Sequence, residues 1–310
     1  GGFQLLVDAT NAQAVALLRE RKRRPDKPFA VMLSSLEEAR RWCRVSTEEG
    51  EALVSYQAPI VLLRRRRDRV AAGDEAGETV EGTPGIAPGV APGNPYLGVM
   101  LPYTPLHHLL IRAVGRPIVC TSGNLSEEPM AVETDEAVER LSAIADIFLV
   151  HDRPIVRPVD DSVARVESGG LRVFRRARGF APLPIELGFE APTVLAVGGH
   201  LKNTVALNLG SQAVISPHVG DLESVLSVEV HRRAVRDLVG FFRARPKAVA
   251  CDMHPDYAST RHAEGLAAEW NVPLVRVQHH HAHVAACRAE NRIEGPLLGF
   301  SFDGTGYGPD

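Results

Sequence analysis

The sequence contains few of the residues that mark a secreted, membrane or nucleic-acid-binding protein. Only four of its 310 residues are cysteines and none forms a CxxC pair, so we predict neither a disulfide framework nor a cysteine zinc site, and we expect a reducing, cytoplasmic compartment. No apolar run approaches roughly 18 residues, which excludes a membrane-spanning helix. The formal net charge of −3 lacks the basic excess of a general nucleic-acid binder.

Lysine is also scarce, with four residues against 31 arginines, so the position of each lysine is informative. The 45% hydrophobic content is too high for a disordered chain, and the length is about that of two domains. The chain starts at Gly1 and stops at Asp310 after a glycine-rich run. Both ends look cut. We therefore expect a piece of a longer protein, with a weakened first strand.

Helix-like and strand-like segments alternate along the chain, which predicts an α/β fold. Before residue 181, the patterns predict strands at 29–33, 60–63, 117–121 and 147–150, and helices at 12–24, from 34, at 106–114 and at 134–143. After residue 192, they predict strands at 193–197, 248–251, 273–277 and 297–302, a hairpin from 204–208 and 213–216, and helices at 222–244, 258–270 and from 279. The proline-rich segment 181–192 is predicted to be a linker, and segment 68–94 a mobile surface loop or insertion.

Half of the lysines fall in one basic segment, Lys22-Arg23-Arg24-Pro25-Asp26-Lys27. A solvated helix end, where cations complement the helix dipole, would explain it. Its position directly before a buried strand equally favours a site for a polyanion such as a triphosphate. Both interpretations stay open on the residues alone.

A second motif, Thr121-Ser122-Gly123-Asn124-Leu125-Ser126, follows a predicted strand. Hydroxyls and glycine are common in ordinary turns. The same residues present backbone N–H groups and hydroxyls at a strand end, where α/β folds bind ligands. Arginines at 175, 176 and 178 add a cationic group that surface location alone would also explain.

Four histidines in five residues, His279-His280-His281-Ala282-His283, are hard to explain by core packing. Residues i and i+4 share a helix face, so His279 and His283 can ligate one metal ion. Asp303 follows a predicted strand 20 residues later and is a plausible third ligand. His and Asp ligands suit iron or zinc equally.

Two glycine-rich segments allow close backbone approach to a phosphate. They are Gly198-Gly199-His200-Leu201-Lys202-Asn203-Thr204, which holds the third lysine, and Asp303-Gly304-Thr305-Gly306-Tyr307-Gly308. Taken alone, each is better explained as a turn.

Together the motifs resemble known domains in a fixed order. Gly1-Gly2-Phe3, the basic segment 22–28, the segment 98–108 (GVMLPYTPLHH) and Thr121–Asn124 resemble a YrdC-like domain. The segments 197–204, 251–257 (CDMHPDY), 278–283 and 302–308 resemble a threonylcarbamoyl-transferase-like domain of the actin/sugar-kinase type, which is ribonuclease H-like. In this order they resemble the HypF family of hydrogenase-maturation carbamoyltransferases, over nearly the whole chain except 68–94.

The resemblance implies a twisted open sheet domain over 1–180 and the first lobe of a truncated transferase domain over 193–310. It implies that ATP, with Mg²⁺, and carbamate derived from carbamoyl phosphate give carbamoyl-AMP. The carbamoyl group then passes to the C-terminal cysteine of HypE, on the route to a cyanide ligand. Neither a membrane nor a nucleic acid is expected as a partner.

The resemblance also assigns residues. Lys22, Arg24, Lys27, Ser122 and Asn124 would be catalytic. Nucleotide contacts would come from Lys22, Lys27, Thr121, Ser122, Asn124 and Arg176, and in the second domain from Lys202, Asn203, Asp303, Gly304, Thr305 and Gly306. His279, His283 and Asp303 would hold iron or zinc.

The chain departs from the family pattern in what it lacks. The family carries an acylphosphatase-like domain and two four-cysteine zinc modules before the YrdC-like part, and an actin-like fold needs a second lobe. We therefore expect no hydrolysis of carbamoyl phosphate, and adenylation without efficient transfer.

Three alternatives remain. A natural-product O-carbamoyltransferase uses the same domains in reverse order, and an enzyme of tRNA threonylcarbamoyladenosine synthesis would use threonine, bicarbonate and tRNA. A non-catalytic metal- or RNA-binding scaffold would become credible only if nucleotide failed to bind.

Overall fold

The computed structural model describes residues 1–66, 79–80, 83–125, 128–304 and 306–308. The chain divides into two compact units, and each is described by itself. Unit 1 comprises Gly1–Ser126 with Met130–Phe180, and unit 2 comprises Glu127–Pro129 with Ala181–Asp310.

Unit 1 is an α/β unit built on a mixed sheet. Its strands are β1 (Gln4–Asp8), β2 (Ala30–Met32), β3 (Cys43–Arg44), β4 (Ile60–Arg65), β5 (Thr79–Val80), β6 (Thr83–Pro84), β7 (Tyr96–Met100), β8 (Ile118–Ser122), β9 (Val163–Glu167) and β10 (Gly170–Arg175). Its helices are α1 (Ala12–Arg21), α2 (Leu36–Trp42), α3 (Thr47–Val54), α4 (Pro105–Val114) and α5 (Thr134–Leu141), with a 3₁₀ turn at Pro88–Val90.

The large sheet of unit 1 has the order β1-β8-β2-β7-β4-β9-β10, with β3 on β4. The pairs β2–β7 and β4–β9 are parallel, and the other pairs along this order are antiparallel. Side-chain caps explain where several helices start. Asn11 accepts the N–H of Ala14 at the start of α1, and Ser46 with Glu49 forms a capping box on α3.

The segment preceding β7 is part of the core of unit 1. Ile86, Ala87, Val90 and Ala91 are at most 1% exposed and belong to the main apolar cluster. The prediction of a mobile loop over 68–94 is therefore wrong for 86–91, because apolar side chains of this segment are buried although their spacing shows no helical or strand period. Residues 68–78 and 81–82 of that prediction lie outside the described part of the chain.

Unit 2 contains β11 (Ile185–Ala191), β12 (Val194–Ala196), β13 (Ala206–Ile215), α6 (Val225–Phe241), β14 (Ala248–Asp252), α7 (Ala258–Trp270), β15 (Leu274–Val277) and α8 (His279–Glu290). The sheet order is β11-β13-β12-β14-β15. Strands β12, β14 and β15 are mutually parallel, and the two pairs that β13 makes are antiparallel.

Two predictions for unit 2 are corrected by this sheet. The segment predicted as a linker contains β11, which pairs with β13 despite its flanking prolines. The predicted hairpin is one ten-residue strand, β13. Gly210 takes a positive φ of 68° within it, and the irregularity in its pairing with β11 places the extra residues on β11.

Two predicted strands are not formed. Residues 147–150 and 297–302 have no strand pairing within the described residues. Their apolar side chains are largely in solvent, with Ile147 87% and Phe302 96% exposed. An apolar run alone therefore overpredicts strands here, since pairing requires a neighbouring edge. No helix among the described residues is long and apolar enough to cross a bilayer.

The four thiols differ in exposure. Cys43, Cys120 and Cys251 are buried, and Cys287 is exposed on α8. All four are free thiols. Burial raises the pKa of Cys120 and of Cys251.

Candidate functional site

The two predicted motifs of unit 1 meet at one buried ammonium group. Lys22 is the C-cap residue of α1 and is only 1% exposed. Its Nζ donates to the carbonyl oxygens of Ser122 (2.7 Å) and Asn124 (2.6 Å) and to Asn124 Oδ1 (2.8 Å). The structure therefore joins the basic segment to the turn after β8.

The same turn is organised around the Asn124 amide. Ser122 Oγ donates to Asn124 Oδ1 at 2.6 Å, while Thr121 is buried at the end of β8. Burial, followed by the charge of Arg24, lowers the pKa of Lys22 to about 7. The Lys22 side chain can thus change between its ammonium and amine forms near neutral pH.

The basic loop is held by an arginine that sequence reasoning missed. Arg19 donates to the carbonyl oxygens of Arg24, Pro25 and Lys27 at 2.8–3.1 Å. It also donates to the carbonyl oxygens of Gly89 (2.6 Å) and Val90 (3.2 Å) in the 3₁₀ turn, and lies 4.5 Å from the ring centroid of Phe29. Nothing in the sequence separates Arg19 from the other arginines.

The other two predicted cations take different places. Arg24 is half-buried, and its pKa is lowered by burial and then by Arg175, so the two guanidinium groups lie within electrostatic range. Lys27 is exposed on the loop, where its backbone carbonyl is the group that Arg19 and Arg24 hold. Its side chain is not brought into the cluster around Lys22.

A second polar cluster forms where the segment after residue 158 meets the end of β10. Arg178 donates to Asp161 Oδ1 at 2.8 Å and lies 3.4 Å from the ring centroid of Tyr103. Tyr103 Oη donates to the same oxygen at 3.2 Å, and Arg175 pairs with Asp160 at 2.8 Å. Arg176, the residue singled out from sequence, is half-buried between them in the chain.

A cavity of about 1220 Å³ in unit 1 reaches the turn after β8 on one side and the second polar cluster on the other. Ser122, Tyr103, Asp160 and Asp161 line it, together with β1 and the irregular segment 144–157. Unit 1 therefore has a cavity large enough for a small-molecule ligand, and Arg21, Arg153 and Arg157 line it.

Unit 2 brings the three predicted metal-ligating residues together. His279 and His283 lie one turn apart on α8, with their Nε2 atoms 3.2 Å apart. Asp303 Oδ2 lies 2.7 Å from His279 Nε2 and 3.1 Å from His283 Nε2. Two imidazole nitrogens and a carboxylate oxygen converging on one point form a donor set that fits Fe²⁺ or Zn²⁺.

Hydrogen bonds within this cluster shift the pKa values of its members. Hydrogen bonds from the Gly304 backbone N–H, His283 and His279 lower the pKa of Asp303 to about 2. Burial alone would lower the pKa of His279, but its hydrogen bonds to Asp252 and Asp303 raise it. Asp252 belongs to the segment 251–257 and is not among the predicted site residues; its position at the end of buried strand β14 is the signal that could have identified it.

The loop after β12 forms one wall of the cluster. Gly198 has φ of 73°, and a Cβ there would lie 2.3 Å from the Thr204 carbonyl oxygen, so only glycine fits. Asn203 is 1% exposed, and its amide nitrogen donates to the carbonyl oxygens of Val197 and Gly199. These two hydrogen bonds hold the backbone of the loop in place. The Lys202 side chain is exposed.

The remaining predicted phosphate-contacting residues follow Asp303. The Gly304 N–H donates to the Asp303 carboxylate, and Gly306 lies against the His280 ring, where a Cβ would be 2.7 Å from the imidazole. Thr305 lies outside the described residues.

Comparisons with known proteins match both units. The Sua5/YciO/YrdC family model, described as telomere recombination, matches residues 1–177, and the model of the HypF Kae1-like domain matches residues 189–290. The carbamoyltransferase HypF2 of Cupriavidus necator is 46% identical over all of this chain and 39% of its own length. The carbamoyltransferase HypF of Rhodobacter capsulatus is 48% identical, with 40% of its length covered.

Solved structures agree with these matches. A crystal structure of full-length HypF in a phosphate- and nucleotide-bound form superposes with a TM-score of 0.89 at 44% identity, covering 99% of this chain and 38% of that one. The HypF structure of T. kodakarensis gives 0.89 at 38% identity, covering 99% and 39%. The chain thus spans about two fifths of the length of the curated relatives it matches.

Proposed function

Because the chain belongs to the HypF family of carbamoyltransferases, we propose that unit 1 forms carbamoyl-AMP from ATP and carbamate. The observation that carries this proposal is the buried Lys22 ammonium, which joins the basic segment to the turn after β8 beside a ligand-sized cavity. In the reaction, a carbamate oxygen attacks the α-phosphorus of ATP. The bond to the bridging oxygen of the β-phosphate breaks, and pyrophosphate leaves with that electron pair.

The chemistry asks for positioning and charge compensation, because a carboxylate nucleophile needs no proton removed. Lys22 and Arg24 supply positive charge at the phosphates, with Mg²⁺ accompanying ATP, and Lys27 reaches the outer phosphates from its exposed position. Thr121, Ser122 and Asn124 present hydroxyl and amide groups to the nucleotide, and Arg176 adds a cation. The bound nucleotide and phosphate of the solved relative support a nucleotide site in this family.

We propose that unit 2 takes part in transfer of the carbamoyl group to the C-terminal cysteine of HypE in the cytoplasm. The cysteine thiol first loses its proton to solvent. The resulting thiolate sulfur attacks the carbamoyl carbon, the bond from that carbon to the AMP oxygen breaks, and AMP leaves with the electron pair. His279, His283 and Asp303 would hold iron or zinc, and the metal would supply Lewis acidity toward a phosphate or carbonyl oxygen. Lys202, Asn203, Gly304, Thr305 and Gly306 would contact a nucleotide bound in unit 2.

The first experiment is ATP–pyrophosphate exchange driven by carbamate, which is generated from bicarbonate and ammonia. We expect exchange in the wild-type chain and a loss of at least about 100-fold in Lys22→Ala and Ser122→Ala. Lys247→Ala removes an exposed lysine of unit 2 and serves as the matched control with unchanged exchange.

Two other outcomes of the exchange experiment would contradict the proposal. Exchange that depends on threonine would move the chain to tRNA modification. Well-folded protein that binds no ATP would reject the adenylation proposal. Transfer is tested separately, by mass spectrometry of a HypE C-terminal peptide, where this chain alone is expected to place a carbamoyl group on the cysteine of only a small fraction of the peptide.

A further inference from the structure

Asp252 occupies a position that the sheet of unit 2 fixes beside the first turn of α8. Strands β14 and β15 are parallel, and their register pairs Asp252 with Val277. Gln278 then caps α8, and His279 is its first residue. Because the carboxyl ends of parallel strands share one sheet edge, the Asp252 side chain lies next to the imidazole of His279.

Both carboxylate oxygens of Asp252 are used. Oδ2 lies 2.6 Å from His279 Nδ1, and Oδ1 accepts the backbone N–H of His254 at 2.9 Å. The residue is only 8% exposed, so water competes little for either oxygen. Two hydrogen bonds to one buried carboxylate fix its orientation.

The contact at Nδ1 decides which nitrogen of His279 can bind a metal. A carboxylate accepts and cannot donate, so the proton of the neutral imidazole is held at Nδ1. With a metal bound, the lone pair would be at Nε2, which lies next to His283 Nε2 and Asp303 Oδ2. Partners of this kind orient a ligating histidine and raise its basicity.

The hydrogen bond at Asp252 Oδ1 connects the loop after β14 to the metal cluster of His279, His283 and Asp303. The loop after β14 carries His254, whose ring stacks on Tyr257 with centroids 4.1 Å apart and planes within 2°. Tyr257 in turn stacks on His200 at 5.2 Å. His254 Nδ1 accepts the N–H of Asp256, which fixes the loop's curvature.

We propose that Asp252 is the positioning residue of the metal cluster. It holds His279 in the tautomer that offers Nε2, and it anchors the loop that carries the His254–Tyr257 stack. The proposal rests on the proposed metal site at His279, His283 and Asp303.

The test compares Zn²⁺ affinity, measured by competition with a chromophoric chelator, in four forms of the chain. Asp252→Asn keeps the shape, but its single carbonyl oxygen can serve His279 or His254 and not both. Asp252→Glu keeps the charge and moves the carboxylate by one methylene. Asp256→Asn, which makes the same chemical change at an exposed aspartate on the same loop, is the matched control.

We expect both Asp252 variants to bind Zn²⁺ about 10- to 100-fold more weakly than wild type, with Asp256→Asn within about twofold. In the Zn²⁺-loaded wild type, ¹⁵N-histidine NMR should show a slowly exchanging Nδ1–H on His279 that exchanges faster in Asp252→Asn. Unfolding curves of each variant exclude a folding defect as the cause.

Three failures are distinguishable. If wild type and Asp256→Asn fail to bind Zn²⁺, the metal site itself is rejected, and the role of Asp252 with it. If wild type binds and the Asp252 variants bind equally well with unchanged Nδ1–H exchange, only the positioning role is overturned. Wild-type affinity in Asp252→Glu alone would replace positioning by a simple effect of negative charge.

Discussion

At the scale of single residues, the nucleotide-site candidate depends on one ammonium group in an unusual setting. Lys22 is buried among three oxygens, yet burial lowers its pKa to about 7. An unfolded lysine stays charged to above pH 10. The charge at this position is therefore available below neutral pH and is lost as the pH rises through about 7.

We predict that ATP affinity falls between pH 7 and pH 9, by up to about tenfold per unit, because binding a polyphosphate requires the charged form of Lys22 and takes up a proton. Calorimetric titration in buffers of different ionisation enthalpy measures both the affinity and the proton uptake. Lys22→Arg stays charged throughout this range and is expected to show no such dependence. A wild-type affinity that is flat from pH 7 to 9 would contradict the prediction.

The site residues that can be predicted from the sequence carry a local signal, whereas the others act through contacts that only the fold creates. Lys22 stood out because lysine is scarce, and His279 with His283 because helical spacing puts them on one face. Arg19 acts only through backbone carbonyls that are brought close by folding, and Asp252 through a strand register. The contacts of Arg19 leave no local pattern in the sequence, and the one local signal for Asp252 is its position at the end of a buried strand.

At the scale of elements, Arg19 connects three pieces of chain. It ties α1 to the loop 24–27 and to the 3₁₀ turn at 88–90. We predict that Arg19→Lys destabilises the chain by about 2–3 kcal/mol in urea unfolding, because a single ammonium cannot reach all five carbonyls. It should also weaken ATP binding without itself touching phosphate. Arg112→Lys, an exposed arginine on α4, is the control and should change neither.

The glycine loop after β12 offers a second test. Gly198→Ala should cost about 3 kcal/mol or more, because it adds a backbone clash to an unfavourable positive φ. Gly188→Ala in β11 has φ of 79° with nothing within 4 Å of the added Cβ, so it should cost about 1–2 kcal/mol from conformation alone. Urea unfolding of both variants isolates the close contact, and equal losses would show that the clash is relieved.

Element boundaries could be predicted where a cap or a periodic face marks them. Helix α7 has the predicted bounds, Ala258–Trp270, and α4 begins one residue before the prediction. The apolar runs at 147–150 and 297–302 carry no information on whether an edge is available, so their assignment as strands was wrong. Strand β11 was hidden by its flanking prolines, although it pairs with β13.

At the scale of the whole molecule, each unit has its own apolar core. One cluster is built around Val31, Leu63 and Val99 in unit 1, and another around Leu195, Leu207 and Val249 in unit 2. Their candidate ligands are also separate, since the Lys22 cluster lies in unit 1 and the His279 cluster in unit 2.

We predict that ATP with Mg²⁺ stabilises unit 1 and that Zn²⁺ stabilises unit 2. At a hundredfold excess over its Kd, each ligand adds about 2.7 kcal/mol to the unit that binds it. Differential scanning calorimetry, with Lys22→Ala and His283→Ala as paired controls, measures this. Each variant should lose the response to one ligand and keep the other, and loss of both responses in either variant would contradict the assignment.

The distribution of thiols gives the chain a built-in attachment point for a probe. Three cysteines are buried, and the fourth, Cys287, is exposed on α8 two turns beyond His279. A maleimide fluorophore added to the native chain should therefore couple at this one position without any engineered substitution. Since α8 also carries His283, the emission of that dye would report metal occupancy and helix order in real time.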